Sequence, residues 1–217
     1  MWTRIDLMPV RTRPTFFETL PCYRSRVEQA ETEWLTLGYS LPAEPSRYRV
    51  SIWRRLRKLG AIYMNEGFWV IPNSDLVSED IAAVIREVET YRGTASAFVS
   101  RDLNPMQGQR LRRLFLDARN EEYSELHGQY EKFVLHVDHA RATKRLTFAE
   151  VEELEEEMSK LERWFNEIKD RDIFHSPARD AALQALEQGR SLLQGFTDET
   201  YAAIEATQKA VEAPDIR

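Results

Sequence analysis

The period of the apolar residues changes once along this chain, near Asp102, and that change limits the folds open to it. Before it, apolar residues gather in four short runs with the length and composition of strands: WLTLGYS (Trp34 to Ser40), AIYM, FWVIP and TASAFVS (Thr94 to Ser100). Two amphipathic stretches separate them. The first runs from Arg47 towards Gly60, a natural residue just past a helix end, with Ser46 as the expected N-cap. The second shows Ile81, Val84, Ile85 and Val88 at three- and four-residue spacing, with Ser78 as its expected cap and Glu79 and Asp80 in its first turn. AIYM and FWVIP are joined by Asn65, Glu66 and Gly67, a three-residue hairpin loop with glycine where a left-handed conformation is needed. The order is β-α-β-β-α-β, the ferredoxin-like split unit.

Beyond Asp102 every stretch has a helical period. Asn104-Pro105 is an N-cap followed by proline at the first helical position. Leu111, Phe115, Ala118, Leu126, Tyr130, Phe133 and Val137 then form a stripe to Ala140, a helix of roughly 55 Å at about 1.5 Å per residue. Thr147 and Glu150 spell a capping box, flanked by the staple pair Leu146 and Val151. Val151, Leu154, Met158, Leu161, Phe165 and Ile168 make a seam that needs a facing helix. Ser176-Pro177 opens a further helix that Gly195 is expected to end, and Thr197 a last one with Tyr201, Ile204 and Val211 on one face. We therefore expect an α+β protein: an arm over residues 1–32, a ferredoxin-like βαββαβ core over 33–102, and an all-α helical hairpin or bundle over 103–212.

Charge follows the same division. The chain carries a formal charge of -6, but residues 34–101 hold nine Lys/Arg against seven Asp/Glu, and the remainder to the C-terminus sixteen against twenty-four. Six basic residues and no acid fall between Arg47 and Lys58. At 100° per residue, Arg47, Arg54, Arg55, Arg57 and Lys58 share an outward arc with Ser51. Tyr48, Ile52, Trp53, Leu56 and Leu59 occupy the arc expected to face the sheet, and Arg49 falls among them. Two readings of the basic arc stand: a solvated face, or a surface that contacts nucleic-acid phosphates. Arg49 also has two readings. It pairs structurally, for example with Glu44, or it joins Ser46, Arg47 and the free amides of the first turn around a small oxyanion.

Other chemistry is sparse. His136 and His139 lie three apart on one helix, with His127 nine residues before His136. Without a third ligand in register they read as surface or inter-helix histidines, so no metal is expected. His175 has no catalytic partner, and the acid run EELEEEMSKLE is the wet side of the seam. No P-loop, G-x-G-x-x-G, G-x-S-x-G or H-E-x-x-H occurs, so neither a cofactor nor an enzymatic activity is expected. The lone Cys22 excludes an internal disulfide, no eighteen-residue apolar run is present, and the N-terminus lacks the apolar core of a secretory signal. A cytoplasmic location is the expectation.

The stretch WLTLGYSLPAEPSRYRVSIWRRLRKLGAIYMNEGFWVIPN, with FVSRDLN, RRLFLDARNEEYSEL and LTFAEVEELEEEMSKLERWFNEIKDRDIF, resembles the N-terminal domain of the chromate-resistance regulator ChrB over about residues 33–175. The resemblance implies a ferredoxin-like core, similar to the middle domain of the phenylacetate repressor PaaX and to the small CRISPR adaptation nucleases. It also implies association with chromate-responsive control of transcription. DNA, through the basic helix, and a second copy of the chain as a homodimer or a partner protein, through the sheet and the helical tail, are the expected partners. The CRISPR-type nucleases carry a metal-binding aspartate at the end of their first strand. Gly38-Tyr39-Ser40 stands there in this chain, against a nuclease. ChrB proteins generally have a second, C-terminal domain, so a stand-alone version is expected here. The residues before Val27 fall outside the resemblance, and translation is expected to begin at Val27.

Overall fold

The computed structural model describes residues 32–64 and 67–212, so the expectations for the arm and for Val27 lie outside the described residues. Four strands, β1 (Trp34–Ser40), β2 (Ile62–Met64), β3 (Phe68–Pro72) and β4 (Thr94–Ser100), form one antiparallel sheet in the order β2-β3-β1-β4. Helix α1 (Ser46–Lys58) follows β1, and α2 (Asp75–Thr90) follows β3. Three longer helices complete the chain: α3 (Pro105–Ala142), α4 (Phe148–Arg171) and α5 (Ala178–Glu212). The protein is thus α+β and mostly helical.

Strand register sorts the side chains by face. β1 pairs with β4 along its whole length, from Trp34 opposite Ser100 to Ser40 opposite Thr94, and Leu37 lies opposite Trp69 of β3. Since alternate residues point to opposite faces, Leu35, Leu37, Trp69 and Ile71 share one side. There they pack on Ile52 and Leu56 of α1 and on Ile81, Val84 and Val88 of α2. Trp34 and Val70 point the other way and meet Phe115 of α3 and Phe174. The Trp34 ring stacks on Phe115 at 5.6 Å, and its indole N–H donates to Asp102 at 2.8 Å. Both faces of the sheet are therefore partly covered by helices. Away from the sheet, the seam of α4 closes on Tyr123, Leu126, Phe133 and Val137 of α3 and on Leu186 and Phe196 of α5.

Local signals fared unevenly. Gly60, at φ +85°, follows α1; its N–H bonds Arg57 O and the Ala61 N–H bonds Leu56 O, which satisfies two terminal carbonyls of the helix. The Asn104 side chain accepts from the Gln107 N–H as expected. Ser46 does not cap α1: Pro45 holds that place and offers no side-chain acceptor. Ser78 does not cap α2 either. Ser74 is extended and accepts from the Val77 N–H, so the helix starts earlier and the Ser78 hydroxyl bonds Asn73 instead. The expected break at Gly195 is absent, and α5 runs through it to Glu212. A glycine inside a helix costs about 1 kcal/mol. Burial of Phe196 and Thr200, both 0% exposed, holds the helix together there. Tyr201 is half exposed rather than on a buried face, and it meets Phe148 edge-on at 5.2 Å.

A polar junction lies between α3 and the end of α4. Arg119 and Arg171 grip the two oxygens of Glu122 at 2.8 and 3.0 Å. Tyr123 donates to Asp172 at 3.3 Å, and Asp172 also accepts from the Ser176 N–H. Burial, first, and the neighbouring Asp172 push the Tyr123 phenol well above its ordinary range. Gly60 rests on this junction: a Cβ there would lie 3.2 Å from both Arg119 Nη1 and Arg171 Cβ. The C-terminal end of α1 is in this way seated on the helical layer.

Candidate nucleic-acid interface

Helix α1 lies on the sheet through a narrow apolar stripe, because only Ile52 and Leu56 of its residues are fully buried. The rest of its surface is available for contact or for anchoring, and its basic residues divide between those two uses. Arg47, Arg54, Arg57 and Lys58 are exposed. The Arg47 guanidinium lies 5.3 Å over the Tyr48 ring, which stacks on Tyr91 of α2 at 4.0 Å. The Arg57 guanidinium lies 5.8 Å over Trp53. None of these four has an ion-pair partner among the described residues.

Arg55 is different. Its Nη1 meets Glu87 of α2 at 2.8 Å, while the other Glu87 oxygen accepts from Ser51 and from Tyr91, both at 2.9 Å. Burial pushes the Glu87 carboxyl up, but Arg55, Ser51 and Tyr91 together outweigh it and hold the pKa below the ordinary 4.5. Arg55 thus ties α1 to α2 at the edge of the basic arc.

A depressed carboxyl pKa contributes stability that is fully present above 4.5 and is lost as pH falls through the lower folded value. Glu87→Gln is therefore expected to destabilise the protein at neutral pH. The size is about 1 kcal/mol once the 40% exposure of Arg55 is allowed for. The gap from wild type should narrow as pH falls below 4.5 and close once the folded carboxyl is protonated. Urea midpoints of the two proteins measured across this range check it; a gap constant with pH would remove the assigned role.

Arg49 does not lie against the sheet. It is exposed, and its Nη1 donates to the carbonyls of Pro42 and Ala43, folding back over the loop that leads into the helix. Ser46 is the exposed first residue of α1. Trp53 departs furthest from expectation. Assigned to the sheet-facing arc by helical angle, it is 50% exposed and lies beside Val50, itself 43% exposed, on the outward side. A sequence signal for this existed, since Trp53 and Arg57 are four apart and so stack on one face. Of the histidines, His139 is exposed, His127 faces Glu131 at 3.7 Å, and His175 contacts Arg179. His136 turns away from both other α3 histidines, towards α4.

The surface carries exposed cations without ion-pair partners among the described residues, with Trp53 and Val50 exposed on the same helix. Exposed charge spread along one helix suits an extended polyanion. A family model described as "Protein ChrB, N-terminal" matches residues 49–207. The chain belongs to the ChrB N-terminal family. The ChrB match begins within α1, after β1, and ends within α5, so it takes in β2, β3, β4 and most of the helical layer. No curated protein and no solved structure matches the chain. Membership in ChrB points to a chromate-resistance, regulatory setting, with DNA or protein partners. No helix among the described residues is long and apolar enough to cross a membrane.

Proposed function

We propose that this ChrB-type chain is a non-enzymatic, cytoplasmic regulatory module that takes part in transcriptional control of a metal- or oxyanion-resistance operon by laying α1 along DNA. In this reading residues 33–102 are a ferredoxin-like unit, supported by the element order β-α-β-β-α-β, and residues 103–212 are a helical unit seated on it. Arg47, Arg54, Arg57 and Lys58 contact phosphates, and Arg55, buttressed by Glu87, borders the contact. The observation that carries the reading is the line of exposed cations without ion-pair partners among the described residues. Trp53 adds a flat surface for the sugar-phosphate backbone.

A gel shift on the promoter of the chain's own operon, repeated across salt concentrations, tests it. Four phosphate contacts predict log K falling with log salt at a slope of about -3.6. No shift, or a slope near zero, refutes the proposal.

A second reading, a protein-interaction or dimerisation module with no direct DNA contact, is favoured by the outer edge of β4. Among the described residues that strand pairs only with β1; it carries no charge and exposes Phe98 (66%) and Val99 (57%). Edge strands usually carry lysine, proline or a bulge against self-pairing. Under this reading Phe98→Lys converts a dimer to a monomer in sedimentation and leaves promoter binding absent in both. An oxyanion site at Ser46, Arg47 and Arg49 is the weakest proposal, since Arg49 would first have to leave the Pro42 and Ala43 carbonyls.

A further inference from the structure

The capping box at the start of α4 is only half made. Thr147 accepts from the Glu150 N–H at 3.3 Å, but the Glu150 carboxylate is turned towards α3, where Oε1 meets His136 Nε2 at 3.0 Å. Glu150 is 6% exposed, an unusual burial for a carboxylate. Glu153 and Glu157 lie one and two turns further along the same face of α4. Glu157 takes the other ring nitrogen of His136, Nδ1, at 3.2 Å. The ring is thereby held at its far side, with Nε2 aimed at Glu150. One donor atom from each of His136, Glu150 and Glu153 lies within 4.8 Å of the other two.

From this we propose that His136, Glu150 and Glu153 form a site for a divalent transition-metal cation, bridging α3 and α4. A carboxylate on the far nitrogen of a ligating histidine is the arrangement that orients imidazoles at metal centres. One imidazole and two carboxylates suit a borderline cation such as zinc, with a water completing four-coordination. Bonds of about 2.0–2.2 Å put tetrahedral donors about 3.4 Å apart, so the 3.0 Å between His136 Nε2 and Glu150 opens slightly to admit the cation. On binding, the cation takes the place of the proton on Nε2, which leaves to solvent.

Arg145 opposes the site. Its Nη2 lies 3.2 Å from the Glu150 oxygen that His136 contacts, and its half-exposed side chain has room to swing into solvent. The free amides at the start of α4 oppose a cation as well. Three donors and two opposing features together indicate modest rather than very tight affinity.

Calorimetric titration of the full chain with zinc chloride tests the proposal. One saturable site is expected. His136→Ala should weaken it at least tenfold, Glu153→Gln about tenfold, and Arg145→Ala should tighten it, while His139→Ala leaves it unchanged. Glu153 is exposed, so its variant reports on the site even if His136→Ala disturbs packing. No saturable binding overturns the assignment. So does binding that neither His136→Ala nor Glu153→Gln alters, which would locate the zinc elsewhere.

Discussion

Reversing Arg47, Arg54, Arg57 and Lys58 together to glutamate is expected to remove promoter binding while the protein stays folded. Each exposed cation within about 4 Å of a phosphate contributes roughly 1 kcal/mol in water. Losing four such attractions weakens binding by about 10³-fold, before the repulsion of four new acids is added. The fold should survive because all four side chains are exposed and none has an ion-pair partner among the described residues. Arg55 is left out deliberately. An Arg55→Glu change would set two carboxylates against each other across α1 and α2 and confuse a loss of binding with a loss of packing. Gel shifts at one low salt concentration, with thermal unfolding as the control for integrity, measure the effect. A quadruple variant that unfolds normally and still shifts the promoter would sink the DNA reading. Trp53→Ala should reduce affinity in proportion across unrelated sequences, since a backbone contact does not read bases.

The largest loss of stability is expected at the polar junction. Glu122→Ala leaves the guanidinium groups of Arg119 and Arg171 facing each other with their shared carboxylate gone. The side chains of Arg119 and Arg171 are only 5% and 14% exposed, and Glu122 is 21% exposed, so water replaces the carboxylate only in part. Breaking a buried pair from one side costs about 3–5 kcal/mol. For a chain of this size that corresponds to a fall in Tm of roughly 6–20 °C. Because Gly60 at the end of α1 rests on the two arginines, the loss should also loosen the basic helix. Denaturant unfolding of wild type and variant provides the measurement; a midpoint shift worth less than about 1 kcal/mol would show that packing, not charge, holds the junction. Replacing Arg119, Glu122 and Arg171 together with apolar residues of similar volume should recover most of the lost stability, as a buried ion network often exchanges neutrally for a packed apolar one.

How far these features could be read beforehand depended on the range of the interaction involved. All four strand positions, Gly60 after α1, Asn104 as a cap and the seam from Val151 to Ile168 were legible, since each is set by alternation or by contacts within one helical turn. Ser74 and Ser78 are both followed by acid and then by apolar residues, and only the backbone path out of β3 decides which of them caps the helix. The break expected at Gly195 follows local propensity correctly; it failed because Phe196 is buried against helices distant in sequence.

The same distinction runs through the candidate site. That α1 concentrates positive charge within an acidic chain was determined by the sequence alone, as was the ChrB resemblance built around it. Which of those charges stand free was not. Glu87 is 32 residues from Arg55, and Glu150 is 14 from His136 across a turn. Such pairs exist only once helices have packed, and helical angle predicts direction without saying what waits there. Trp53 shows the limit best: its angle put it in the apolar arc, but α1 fully buries only Ile52 and Leu56. The tertiary structure alone turned an apolar residue outward and set it among the cations.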